Sequence, residues 1–161
     1  MARVAIAYPP LSSEKGVPLL TQNRQFQWFS RPTYIFPVVP ATAATMLKQA
    51  GHDVLFLDGI ASGMDEAEFD RRLADFRPDY VVVETKTPVV KRHWRWIAAH
   101  DYKVIMVGDH VTALPEESAS KPGVWAIIPG GDWDYGLLDF FAGDRGRGVR
   151  PFALQIGRAH V

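Results

Sequence analysis

The residues with chemistry to offer fall in four short stretches, each directly after an apolar run. Gly108-Asp109-His110-Val111-Thr112-Ala113-Leu114-Pro115-Glu116-Glu117 follows Val104-Ile105-Met106-Val107, and Glu84-Thr85-Lys86-Thr87-Pro88 follows Tyr80-Val81-Val82-Val83. Pro129-Gly130-Gly131 follows Val124-Trp125-Ala126-Ile127-Ile128, and Pro9-Pro10-Leu11-Ser12-Ser13 follows Val4-Ala5-Ile6-Ala7-Tyr8. Hydroxyls, an imidazole and glycines at the ends of strands stand where open α/β sheets hold their ligands. Hydroxyls there can donate to phosphate or amide groups, and paired glycines let a bulky ligand approach the backbone. Taken singly, each has a plainer use: Thr87 before Pro88 caps a helix, and Gly130-Gly131 makes a turn. The conjunction is what points to a ligand.

The apolar pattern supplies the elements that would position these loops. Strands are predicted over residues 4–8, 53–58, 80–83, 104–107 and 124–128. Helices are predicted over residues 41–50 and 64–76, and another carries Val90, Trp94 and Ile97 at i, i+4 and i+7. Trp94 therefore reads as core. Pro115 with Glu116 and Glu117 reads as the first turn of a short helix, since proline fits N1 and carboxylates favour the positive end. A last helix buries Leu137, Leu138 and Phe141. Five strands alternating with helices predict a three-layer α/β domain, a doubly wound parallel sheet of the flavodoxin-like (Rossmann-like) kind.

Two segments stand outside this alternation. Residues 11–40 carry prolines and the aromatics Phe26, Trp28, Phe29, Tyr34 and Phe36. So long a connection in a compact domain is usually functional or disordered. It reads either as a lid that fills a groove with its own side chains or as one that packs on a large flat ligand. Residues 143–161 lose the periodicity and become rich in Gly and Arg. Residues 156–161 resemble the translation of a sequencing-library adapter and are set aside from fold reasoning. The expected division is a ligand-binding domain over 1–142 and a truncated tail, the front of a longer protein.

Composition narrows the function. Lys plus Arg equals Asp plus Glu at 18 each, so no global field points to nucleic acid or an anionic membrane. The absence of cysteine excludes disulfides, a thiolate nucleophile and cysteine-ligated iron–sulfur or zinc sites within this chain. No apolar run approaches the ~20 residues of a membrane span, and a cytoplasmic setting is expected. A dinucleotide site needs Gly-x-Gly-x-x-Gly after the first strand, yet Gly16 is the one glycine before Gly51. A Walker loop is absent, and Tyr8-Pro9-Pro10 replaces the acids of a phospho-receiver. Lys86, Lys91, Arg92 and His93 form a basic cluster that reads as a solvated helix face, with a phosphate or propionamide partner as the alternative.

Taken together, Thr85-Lys86-Thr87, Gly108-Asp109-His110-Val111-Thr112 with Pro115-Glu116-Glu117, Gly130-Gly131 and Tyr8-Pro9-Pro10-Leu11-Ser12-Ser13 resemble the loops of the cobalamin-binding domain at the N-terminus of cobalamin-dependent radical SAM enzymes. The resemblance covers roughly residues 3–142. It implies a corrin ring across the carboxyl edge of the sheet, with Ser12, Ser13, Thr85, Lys86, Thr87, Gly108, Asp109, His110, Thr112, Gly130 and Gly131 as cofactor-binding residues. Thr85 and Thr87 would line the dimethylbenzimidazole tail, Gly130 and Gly131 would give it room, and His110 and Thr112 would meet the corrin edge.

Two departures qualify the likeness. The Asp-x-His-x-x-Gly whose histidine ligates cobalt is missing from the first loop, so base-off binding without that histidine is expected. His110 reads as a hydrogen-bonding group rather than a metal ligand. The Cys-x-x-x-Cys-x-x-Cys of the iron–sulfur cluster is also missing, so this chain would not be catalytic alone. The cluster and S-adenosylmethionine would belong to a downstream radical SAM domain, with methyl transfer or a related radical reaction as the activity. The rival readings are a non-catalytic flavodoxin-like protein-interaction domain and a flavin binder.

Overall fold

A computed structural model describes residues 1–20, 26–31, 33, 35–131, 133–143 and 155–156, the last pair by backbone alone. Five strands run parallel: β1 (Arg3–Tyr8), β4 (Asp53–Asp58), β5 (Tyr80–Glu84), β6 (Val104–Val107) and β7 (Val124–Ile128). Their spatial order is β4-β1-β5-β6-β7, the flavodoxin-like arrangement, whose direction of winding reverses between β1 and β5. A sixth strand, β8 (Gln155–Ile156), pairs antiparallel with β7 and extends the predicted five-stranded sheet at that edge. Tyr34 and the rest of the predicted tail beyond Gly143 lie outside the described residues.

Alternate residues of each strand feed opposite faces. Val4, Ile6, Tyr8, Val82, Ile105, Val107 and Ile128 pack on one side, against Ala43 and Leu47 of α1 (Val38–Gln49) and Leu137 of α6 (Trp133–Ala142). Ala5, Ala7, Val81, Val83, Val104, Met106 and Ile127 pack on the other. There they meet Phe69 and Leu73 of α2 (Glu66–Phe76), Val90 and Ile97 of α3 (Val90–Ala98), and Val111 of α4 (Asp109–Ala113). Both faces are thus covered, which is why β5 and β6 read as continuous apolar runs. Among the described residues no helix is long and apolar enough to cross a membrane.

Helix ends follow local chemistry. The Asp65 carboxylate accepts the Glu68 amide at 2.8 Å and caps α2, so the helix starts two residues later than the predicted 64. Pro115 occupies the first position of α5 (Pro115–Ala119), with Glu116 and Glu117 in its first turn, as predicted. α1 begins at Val38 rather than at 41. Pro40 is its third residue, where a helical N–H has no intrahelical partner, so proline is tolerated. In α6, Leu137 is buried, whereas Leu138 and Phe141 are half-buried rather than buried.

The predicted lid over 11–40 ends earlier, because α1 takes in Val38, Val39 and Pro40. It carries a hairpin, β2 (Val17–Leu19) against β3 (Gln27–Phe29), with Val17 opposite Phe29 and Leu19 opposite Gln27. Phe26 and Trp28 pack on the core cluster that contains Leu11 and Leu20. Gly16 permits the hairpin's tight approach, because a Cβ there would fall within 3 Å of the Phe29 carbonyl. The lid therefore fills part of its own groove. The loop predicted after β6 is likewise not a loop, since α4 starts at Asp109 directly beyond Gly108.

Candidate functional site

The carboxyl edge beside the winding reversal gathers most of the residues singled out above. Ile6 pairs with Val82, so two residues further on Tyr8 and Glu84 point to the same face. There the Tyr8 hydroxyl donates to Glu84 Oε2 at 2.5 Å. Burial pushes the Glu84 carboxyl up to about 7, although the Tyr8 hydrogen bond and the Lys86 charge pull it down. Tyr8 is raised well above the ordinary tyrosine range, first by burial and then by the Glu84 charge. Neither residue was expected to be part of the site. Their position as the last residues of neighbouring parallel strands was the available signal.

The loop after β5 is tied to α3 and to α4. Thr85 Oγ1 and His93 Nδ1 are 2.8 Å apart, and both residues are fully buried. Burial lowers His93 to about 4. Lys86 is only 6 % exposed, and its ammonium donates to Asp109 Oδ2 at 2.7 Å. Lys86 and His93 are thus parts of the interior, not of a solvated face as the sequence suggested. Two more residues of α3 remain accessible: Lys91 is exposed and Arg92 half-buried. The apolar stripe of that helix explains the misreading: His93 lies between Val90 and Ile97, on the side that the sheet covers.

His110 is buried at 2 % exposure, with Nδ1 at 3.0 Å from the Thr87 hydroxyl and its ring edge-on to Trp94. Its Nε2 sits 3.5 Å from Glu117 Oε2 and makes no hydrogen bond to a described residue. The Thr112 hydroxyl donates to the Gly108 carbonyl at 3.0 Å and accepts the Gly130 amide at 2.9 Å, which links the loops after β6 and β7. Gly108 has φ 104°, and a Cβ there would meet the Thr85 carbonyl oxygen at 2.6 Å. Only glycine lets the β5 and β6 loops approach so closely. Among the described residues, nothing lies within 4 Å of the place a Cβ would take at Gly130 and Gly131.

Ser12 and Ser13 stand apart from this network. Ser12 is exposed, and Ser13 accepts the Lys15 amide at 3.2 Å. Arg92 connects them to the rest, since its guanidinium donates to the Ser12 carbonyl and stands 5.6 Å from the Trp28 ring. Asp58, at the end of β4, was not singled out by sequence; its carboxyl is raised by burial against two opposing backbone hydrogen bonds.

No group of three or more His, Cys, Asp or Glu side chains among the described residues is arranged to hold a metal ion. The edge offers open backbone at Gly130 and Gly131 among the described residues, and burial brings its Glu84 carboxyl to about 7. Compared with protein-family models, curated proteins and solved structures, the chain matches none of them.

Proposed function

We propose that this chain is a cobalamin-binding module that presents its cofactor to a radical SAM domain. The observation that supports it most is the open backbone at Gly130 and Gly131, which Thr112 ties to the loop after β6, itself brought close to the loop after β5 at Gly108. Ligands of open α/β sheets bind outside the carboxyl ends of the strands. The residues present fit a corrin there: exposed Asp109 and Thr112 can meet amide side chains, and the glycines leave room for a nucleotide tail. The donor set fits base-off binding, because the β1 loop has no histidine and the His110 ring is buried against Trp94 and Thr87.

Cobalamin supplies the group-transfer chemistry when bound, and the chain's residues would bind and orient it. Thr112 fixes the spacing of the loops after β6 and β7, Gly108 sets the approach of those after β5 and β6, and Lys86 holds the Asp109 carboxylate in place. Methyl transfer, the downstream domain and cytoplasmic residence are parts of this same proposal.

The second reading is a non-catalytic interaction domain. It is favoured by the way the hydroxyls of Thr85, Thr87 and Thr112 already satisfy one another's neighbours within the chain. One experiment separates the two. The chain is mixed with hydroxocobalamin and desalted, and the visible spectrum of the protein fraction is recorded. A base-off corrin spectrum that His110→Ala leaves unchanged is expected. A colourless, well-folded protein fraction overturns the cobalamin reading and favours the interaction domain.

A further inference from the structure

Beside the end of β4 is a pocket of about 410 Å³, within the range of about 300–1,000 Å³ typical of small-molecule sites. Val17, Leu19 and Leu20 form one wall, Ile35 and Phe36 another, and Phe56 a third. The first two walls come from the segment between β1 and α1. A connection of a few residues would complete the same sheet order, so the segment adds a concavity that the fold does not require.

Among the described residues, one ionisable side chain lines this apolar space, Asp58. Its Oδ1 accepts the amides of Ile60 and Ala61 at 3.0 and 2.9 Å, which fixes the carboxyl in the turn after β4. Among the described residues no hydrogen bond reaches Oδ2, and no Lys, Arg or His pairs with the group. Burial disfavours its charged form, and a cation at Oδ2 would reverse that. Phe36 and Phe56 add two aromatic rings to the same lining, and aromatic rings attract cations. An anion would meet the carboxylate and the ring faces unfavourably. A neutral apolar molecule would leave Oδ2 unpaired away from water.

We propose that this pocket binds a small organic ammonium ion with an apolar or aromatic body, the cation on Asp58 and the body among Leu19, Ile35, Phe36 and Phe56. The site uses none of the residues assigned to cobalamin and does not rest on that reading. Its recognition has two parts, one charge and one apolar volume, and each can be removed alone.

The test titrates the full chain with phenethylammonium, phenethyl alcohol and phenylacetate, followed by calorimetry or ligand-observed NMR. The expected order of affinity is ammonium, then alcohol, then carboxylate. Asp58→Asn keeps an oxygen for the two turn amides. It should weaken the ammonium at least tenfold while leaving the alcohol within about twofold. Ala61→Trp, at an exposed lining position, fills the space and should weaken both. Ammonium binding no tighter than alcohol binding overturns the proposal. So does ammonium affinity unchanged in either folded variant, or the absence of ammonium binding at millimolar concentration.

Discussion

The two ends of the sheet's carboxyl edge are built on opposite terms. At the β5–β6 end, polar side chains spend their hydrogen bonds on one another: Thr85 with His93, Thr87 with His110, Lys86 with Asp109, and Tyr8 with Glu84. At the β4 end, the walls are apolar, and Asp58 has an oxygen that no described residue engages. The first region belongs to the loops that any sheet of this order must have. The second is added by the segment between β1 and α1. Satisfying polar groups internally makes a rigid edge whose stability is sensitive to small changes. Leaving a concavity lined by apolar groups makes a surface whose changes are felt in binding rather than in folding.

The sharpest way to break this contrast is Gly108→Ala. The substitution forces a side chain into φ 104° and onto the Thr85 carbonyl at 2.6 Å. A loss of about 3 kcal/mol is expected, seen as a fall in Tm of roughly 10 °C. A variant as stable as the parent would mean that the β5 and β6 loops are not locked together.

A second effect is hidden in the parent protein and appears with pH. Folded Glu84 titrates at about 7 against an ordinary 4.5, so between those values the folded chain holds a proton that the unfolded chain has released. Its contribution to stability falls as pH rises through that window. His93 titrates at about 4 against 6.5, so the unfolded chain takes up a proton that the folded chain refuses, and stability rises with pH over that window. Between about 4.5 and 6.5 the two slopes oppose each other, each about 1.4 kcal/mol per pH unit. Urea denaturation across this range should show His93→Phe losing stability with rising pH and Glu84→Gln gaining it. Parallel profiles for all three proteins would deny the closed edge its buried titrating pair.

The smallest change is expected at the open end. Phe36 is 70 % exposed, and Phe36→Ser should alter unfolding stability by less than about 0.5 kcal/mol. A loss of several times that amount would show that the pocket wall is part of the folding core, and the contrast would fail.

Much of the architecture was readable because its apolar runs are short, well separated and punctuated by Gly and Pro. The order of the parallel strands then follows from right-handed crossovers. Where the reading failed, local signals were weak or misleading. The hairpin has three-residue strands, one of which contains Pro18, and proline argues against a strand. Pro40 suggested a helix start too late, because proline is tolerated anywhere in the first turn. The residues picked for the site do lie along one edge, since each ends a predicted strand. Which of them would be consumed by internal pairing was not readable. That depends on His93 of α3 turning its ring to Thr85, on His110 turning inward to Thr87, and on Tyr8 and Glu84 meeting across a strand pair that periodicity alone cannot rank.

Arg92 gives the edge a further property. Its guanidinium touches the Ser12 carbonyl and stands 5.6 Å from the Trp28 ring, so α3, the β1 loop and the hairpin share one side chain. A molecule that displaces Arg92 from the Ser12 carbonyl would change the electrostatic field at that indole. Trp28 emission, isolated by difference against Trp28→Phe, is then a built-in optical gauge of whether the edge is occupied, for ligands with no colour of their own.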